Sequence, residues 1–222
     1  MIMPGKNTIK KLYEGGYYHV YNRGVAKQEI FCTRHDYVVF LRFLKEYLLS
    51  IDHPDRKELL GINPRRRSVT LFGEVELLSY CLMPNHFHLY VKNISKDGLT
   101  RFMKALSTNY AMYFNYQYKQ VGPLFQGIYK AIEIRDPNYY IWITRYIHRN
   151  PYSIIARDQP LWSYDFSSYP AYLGLWKADW LKSREISEMF STKNPRSSYK
   201  NFVEDSLDMV DELEPLLLGL DD

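Results

Sequence analysis

The hydrophobic pattern of the chain switches between an alternating period and a helical period, and each switch predicts a new secondary-structure element. Runs rich in aromatic and β-branched residues, bounded by Gly, Pro or Asn, predict strands. They are residues 17–22, 69–72 with 75–83, 86–92 and 124–134. Apolar residues at helical spacing predict three helices. These lie at residues 37–49, 99–118 and 137–149.

The boundaries of the last helix are marked by specific residues. Asp136 is a typical N-cap residue, and Pro137 is well suited to the first helical position. Pro151 disfavours helical geometry at Asn150, so we expect this helix to end at about Arg149.

The order of these elements, β-α-β-β-α-β-α, predicts the fold class. It does not alternate strictly, as a parallel sheet requires. It matches an α+β, ferredoxin-like (split βαβ) plan, an antiparallel sheet with helices on one face. Beyond Tyr169 the pattern is less regular and predicts a small helical extension at the C-terminus. We therefore expect one main domain over residues 1–175 and a helical extension with an acidic tail over residues 176–222.

Composition narrows the class of protein. The chain has 222 residues, of which 46% are hydrophobic and 24% charged, as in ordinary globular proteins. No apolar run approaches 18 residues, so no transmembrane helix or membrane partner is expected. Cys32 and Cys81 alone predict no disulfide framework, which favours a cytoplasmic location.

Charge is distributed unevenly along the chain. Residues 203–222 hold eight acidic side chains and no Lys or Arg, which leaves a net charge of +12 on residues 1–202. A body this basic favours a polyanionic partner such as nucleic acid, although a solvated surface with an acidic tail gives the same count. The run Arg65-Arg66-Arg67 is either a phosphate contact or a solvated loop.

The pair His86 and His88 is the sharpest local motif. On a strand, residues two apart point to the same face, so both imidazoles can converge on one ion while Phe87 points to the opposite layer. Imidazole is the commonest metal ligand. The alternative is that the two histidines only face a polar surface.

Tyr146 and Asn150 share one face of the last predicted helix, because they are four residues apart. An Asn carbonyl oxygen can serve as a third metal ligand, and a tyrosine one turn earlier would then reach whatever the metal holds. A phosphodiester held by a cation is a suitable target for a phenol. The alternative is that Tyr146 is a core ring and Asn150 a C-cap.

Five motifs, in order along residues 14–175, resemble single-tyrosine HUH transposases, and three of them resemble the REP-associated tyrosine transposase branch in particular. The segment 83–89 is similar to the HUH motif, and 145–151 to the helix end that bears the tyrosine. The branch motifs are residues 21–25, 122–130 and 162–169. Pro123 and Arg149 depart from the pattern of the family but replace no proposed catalytic group.

This resemblance implies a ferredoxin-like enzyme that cleaves and rejoins single-stranded DNA. His86 and His88 would be metal ligands, Tyr146 the nucleophile that forms a 5′-phosphotyrosine link, and Asn150 a polar group near the metal. The implied ion is Mg²⁺ or Mn²⁺, and two nitrogen ligands suit Mn²⁺ better. The implied partner is single-stranded DNA with hairpin-containing repeats, bound by a monomer or a homodimer. The expected DNA contacts are Asn22, Arg23, Arg65, Arg66, Arg67, Lys130 and Arg145.

Two other functions fit parts of the same sequence. A non-catalytic, domesticated binding module would use the basic surface without needing the His86, His88, Tyr146 and Asn150 set. A metal-dependent hydrolase would need acidic ligands, and the adjoining strands offer only Glu74 and Glu76. His19 and His148 are extra candidates near the site, each interpreted as structural or as a phosphate contact.

Overall fold

The computed structural model describes residues 12–56 and 70–205. Four strands form an antiparallel sheet in the order β2-β3-β1-β4. The strands are β1 (Tyr17–Arg23), β2 (Val75–Met83), β3 (His86–Asn93) and β4 (Lys130–Ile134). The longer helices are α1 (Arg34–Leu48), α2 (Gly98–Tyr118) and α3 (Pro137–Arg149). The short helices are α4 (Tyr169–Tyr172), α5 (Arg184–Ser187) and α6 (Tyr199–Glu204).

The order along the chain is β1-α1-β2-β3-α2-β4-α3, which confirms the predicted ferredoxin-like plan. Asp136 caps α3 as expected, since its side chain accepts a hydrogen bond from the backbone N–H of Asn138 at 2.9 Å. Within the described ranges, no helix combines the length and apolar character needed to cross a membrane.

The sheet separates two layers of side chains. Because side chains alternate along a strand, Val20 and Phe87 point into the main core with α1 and α2. Their neighbours His19 and His88 point to the opposite face, which α3 covers. The two central strands therefore bring histidines to one side and close-packed apolar residues to the other.

Two predicted strand segments are shorter than expected. Thr70 to Phe72 do not join the sheet, and Val69 lies outside the described residues. The last strand begins at Lys130 instead of Leu124, so residues 124–129 form a loop. This loop is held against β1 by a bridge between Gly24 and Phe125, not by a strand ladder.

The C-terminal part of the described chain packs on the sheet and on α3. The backbone N–H of Ser168 donates to Tyr80, and that of Lys182 donates to Leu77, so both segments cover the free edge of β2. A second apolar cluster joins Ile143 and Ile147 of α3 to this region. The domain boundary at residue 175 stays a prediction.

Candidate active site

The two histidines of the HxH motif lie at the start of β3, beside the end of β1. Arg23 pairs with His86 and Tyr21 pairs with His88 across the two antiparallel strands. The imidazole centroids of His86 and His88 are 4.9 Å apart and their planes are perpendicular. Both rings therefore occupy the same face of the sheet, as the i, i+2 spacing predicts.

Helix α3 crosses this face of the sheet, so that Tyr146 lies directly against the histidines. The ring of Tyr146 makes edge contacts with His88 at 5.5 Å and with His19 at 5.7 Å. Asn150 ends α3, and its side-chain nitrogen donates to the carbonyl of Tyr146 at 2.9 Å. Asn150 is thus a C-cap, as one of the two interpretations held, and it also faces the cavity beside Tyr146.

These side chains line one cavity of about 340 Å³ that is open to solvent. Its walls come from β1, β3, the loop before β4 and α3. The lining residues are Tyr21, Asn22, Arg23, His86, His88, Gln126, Gly127, Ile128, Lys130, Tyr146 and Asn150. The fold thus gathers seven residues that sequence analysis had predicted from four distant segments.

Arg145 is not part of this cavity. It is buried on another side of α3, where its guanidinium donates to the main-chain carbonyl of Asp205 and lies 5.3 Å from the ring of Trp142. Neighbouring Arg149 donates to the carbonyls of Val203 and Asp205. Arg145 thus supports packing against α6. The predicted contacts at Arg65, Arg66 and Arg67 lie outside the described residues.

Hydrogen bonds orient both imidazoles of the motif. The Nδ1 of His86 donates to the side-chain oxygen of Asn85 at 2.6 Å, which places the ring lone pair on Nε2. The Nδ1 of His88 lies 2.9 Å from Nε2 of His19. With Nδ1 engaged in each ring, Nε2 is the atom suited to a metal.

The donor set fits a divalent cation. Nε2 of His88 is buried and has no hydrogen bond of good geometry from the described residues. The contact with the Asn150 side chain acts to raise the pKa of His88. This is the effect of an acceptor oxygen, which stabilises a protonated imidazole. A buried lone pair beside a second acceptor is costly unless a proton on Nε2 or a bound cation lies between them, and the cation is the occupant that a metal site requires. In the described part of the chain, no three or more His, Cys, Asp and Glu side chains form a metal cluster, so an ion here would depend on the Asn oxygen.

The surroundings keep the buried histidines neutral. Burial, followed by the nearby His86, His19 and Arg23, lowers the pKa of His88 well below its usual value. Burial lowers the pKa of His19 to about 3. Neutral imidazole is the form that binds metals.

Two cationic side chains stand at the cavity. Arg23 ends β1, and Lys130 begins β4, with its ammonium group 5.6 Å from the ring centroid of Tyr21. Burial raises the pKa of Tyr21 to about 12, so its phenolate forms less readily than that of an exposed tyrosine. The cavity therefore has positive charge suited to a phosphate and a second tyrosine that is poorly suited to ionise.

Asn22 lines the cavity but also has a structural role. Its side-chain nitrogen donates to the carbonyl of Gly127 at 3.1 Å, and its side-chain oxygen accepts from the backbone N–H of Arg23 at 2.9 Å. Asn22 thereby fixes the loop before β4 to the end of β1.

Sequence reasoning did not assign Tyr21, Gln126, Gly127 or Ile128 to the site. Tyr21 could have been found from the register of the sheet. Every second residue of β1 lies on one face, and Tyr21 pairs directly with His88 on the neighbouring strand. His19 was considered and lies in the site, whereas His148 does not. His148 is buried between Tyr199 and Ser168, at 2.7 Å from each hydroxyl.

The two acidic residues considered for a hydrolase lie far from the histidines. Glu76 pairs with Lys92 at one end of the β2–β3 ladder, whereas His86 pairs with Met83 at the other. Six residues of strand separate the two positions by about 20 Å. Glu74 forms an ion pair with Arg101. Neither carboxylate can join the histidines in one metal site.

Comparison with known proteins gives one sequence family. Residues 67–150 match the family described as IS200-like transposases. That range contains the HxH motif and both helix-end residues, Tyr146 and Asn150. No curated protein matches the chain in sequence.

Two solved structures are similar to this chain. A REP-associated tyrosine transposase bound to a REP hairpin shares 15% sequence identity with a TM-score of 0.52, covering 79% of this chain and 90% of that chain. A putative transposase from Deinococcus radiodurans R1 shares 18% identity with a TM-score of 0.36, covering 67% and 97%. The first likeness shows a shared fold. The family match over residues 67–150 confirms the resemblance to transposases predicted from the motifs.

Proposed function

We propose that this chain, which resembles the IS200-like transposases over residues 67–150, cleaves and rejoins single-stranded DNA through a covalent link to Tyr146. The observation that carries this proposal is the convergence of Tyr146 with His86, His88 and Asn150 on one cationic, solvent-open cavity. The substrate class is single-stranded DNA with an adjoining hairpin, since the similar solved protein is bound to a REP hairpin.

The side chains divide the work of binding and attack. Arg23 and Lys130 bind the phosphates on either side of the cleaved position by charge. Nε2 of His86, Nε2 of His88 and the side-chain oxygen of Asn150 would hold a Mg²⁺ or Mn²⁺ ion. That ion would offset negative charge on the phosphoryl oxygens.

Tyr146 is the nucleophile. Its hydroxyl oxygen forms a bond to phosphorus as the bond from phosphorus to the 3′-oxygen breaks, and the phenolic proton passes to solvent. The departing 3′-oxygen takes a proton and becomes a free hydroxyl. Attack of a 3′-hydroxyl on the phosphotyrosine reverses these steps and joins two strands, so the link conserves the energy of the phosphodiester.

A covalent-capture experiment tests this function. The full chain is incubated with Mn²⁺ and a labelled oligonucleotide that carries a hairpin and a single-stranded flank. We expect a protein–DNA adduct that survives denaturing electrophoresis, with peptide mapping placing the DNA on Tyr146. The fully duplex form of the same flank serves as a control and should give no adduct. Binding without an adduct across hairpin substrates and metals would instead support a non-catalytic binding module.

A further inference from the structure

We infer that His19 is a positioning residue for the metal site, because its ring nitrogen accepts the Nδ1–H of His88 and so directs the lone pair of His88 Nε2 into the cavity. This inference rests on the proposed function. It deals with a residue that is not itself expected to touch the ion or DNA.

Among the described residues, His19 is the hydrogen-bond partner of His88 Nδ1. The Nδ1 of His88 and the Nε2 of His19 are 2.9 Å apart, and both side chains are buried. The two rings are also stacked, with centroids 5.1 Å apart and planes 16° from parallel. Such contact fixes the rotation of the His88 ring as well as its hydrogen bond.

Only one direction of this hydrogen bond permits metal binding. If His19 donated from Nε2, His88 would carry its proton on its own Nε2, which is the buried atom facing the cavity. That proton would block the ligand position. If His88 donates from Nδ1, Nε2 keeps its lone pair and His19 carries its proton on Nδ1, a buried atom with no hydrogen-bond partner among the described residues, so this arrangement has a cost that a bound cation must offset. A bound cation therefore selects the second arrangement across both rings.

The position of His19 makes this arrangement rigid. His19 lies on β1, a central strand, and its register partners are Tyr90 on one side and Ile132 on the other. Its ring also stacks on Tyr21 at 5.2 Å and meets the edge of Tyr146 at 5.7 Å. Partners behind a ligating histidine typically change metal affinity by 10- to 100-fold.

Mn²⁺ binding by the full chain without DNA tests the inference, with free Mn²⁺ measured by electron paramagnetic resonance. His19→Leu removes the acceptor and should weaken Mn²⁺ binding by about 10- to 100-fold. His19→Gln places an amide oxygen near the same point and should restore most of the affinity. Val20→Ala is the matched control: it loosens the same strand from its opposite face and should leave Mn²⁺ affinity unchanged.

The possible outcomes distinguish a failure of this inference from a failure of the proposed function. Wild-type affinity in His19→Leu, or equal losses in His19→Leu and Val20→Ala, would overturn the positioning role alone. Retention of Mn²⁺ binding in His88→Ala would overturn the metal site and the proposed function with it.

A second measurement needs no substitution and so does not depend on a variant folding. In protein labelled with ¹⁵N-histidine and saturated with diamagnetic Mg²⁺, ring nitrogen shifts report which nitrogen carries the proton. We expect His88 and His19 both to be protonated on Nδ1. A proton on Nε2 of His88 would contradict the inference.

Discussion

Asn150 donates a hydrogen bond from its side-chain nitrogen to the main-chain carbonyl of Tyr146, at 2.9 Å across the last turn of α3. This bond caps the helix and assigns the two ends of the amide different tasks. The side-chain nitrogen bonds to the helix, and the side-chain oxygen can therefore interact with groups in the cavity, where His88 lies. The cap and the candidate ligand are therefore one side chain.

Replacing the tyrosine hydroxyls separates the two phenols of the cavity. Tyr146→Phe should retain DNA binding but form no covalent adduct, because only the attacking oxygen is lost. Tyr21→Phe should still form the adduct, since burial raises the pKa of Tyr21 to about 12 and its role is packing. Denaturing gels of labelled oligonucleotide check both variants. An adduct persisting in Tyr146→Phe would move the nucleophile elsewhere.

The two motif histidines should be equally necessary for cleavage but unequal in their effect on stability. His86→Ala and His88→Ala should each abolish Mn²⁺-dependent cleavage. His88 is 2% exposed, whereas His86 is only partly buried, so His88→Ala should also lower the melting temperature more. Thermal unfolding measured beside the cleavage assay checks this difference. Cleavage retained in both variants would rule out the assigned ligands.

Arginine and lysine side chains that contact phosphate should be detectable by salt dependence. Arg23→Gln and Lys130→Gln should each weaken single-stranded DNA binding and reduce the slope of log affinity against log salt by about 1. Affinity titrations at several salt concentrations give the slopes.

Arg145→Gln is the matched contrast for those two variants. Arg145 is buried, donates to the carbonyl of Asp205 and lies against the rings of Trp142 and Phe202, so its replacement removes a charged hydrogen bond and these ring contacts. We expect a loss of about 1–3 kcal/mol in unfolding free energy with the salt slope unchanged. A reduced salt slope for Arg145→Gln would restore Arg145 to the predicted DNA contacts.

Asp36 should make stability depend on acid pH. Burial raises its pKa, but hydrogen bonds from Tyr118, Tyr113 and Thr33 outweigh this and hold the pKa below the usual value. A carboxyl with a lowered pKa stabilises the fold above its unfolded value of about 3.8, and this contribution is lost as the pH falls below that value.

Asp36→Asn measures this contribution. At pH 7 the variant should lose about 2–4 kcal/mol, because the ionised acceptor of several hydrogen bonds is removed. The difference from wild type should shrink as the pH falls below about 3.8. Asp165→Asn is the control: the Asp165–Arg34 pair is exposed, so its loss should cost less than about 1 kcal/mol at any pH. Denaturant titrations at pH 7 and pH 3 give both values.

The sequence was sufficient to predict the elements that have strong local signals. Asp136 and Pro137 marked the start of α3, and the spacing of His86 and His88 placed both rings on one face. These signals are local because a cap or an alternation depends on neighbouring residues only. The loop at residues 124–129 was predicted as strand because its apolar residues, Leu124 and Phe125, enter the core from irregular backbone.

The parts of the site that escaped prediction depend on contacts between distant segments. The hydrogen bond between His88 and His19 joins residues 69 apart, and only strand register brings them together. Arg145 was assigned to DNA because it adjoins Tyr146 in a motif. On a helix, adjacent residues point about 100° apart, so Arg145 faces α6 while Tyr146 faces the cavity.

The residues of the candidate site fall into two groups along the chain, one on each side of the turn at Arg135 and Asp136. Both imidazoles of the motif, His19 and the two cavity cations all precede Arg135, whereas Tyr146, the proposed nucleophile, and Asn150, the proposed ligand, follow Asp136. A polypeptide cut in that turn would give two fragments, neither of which holds the complete candidate site. The proposed cleavage would require both fragments to assemble, which makes this junction a suitable point for split-protein complementation.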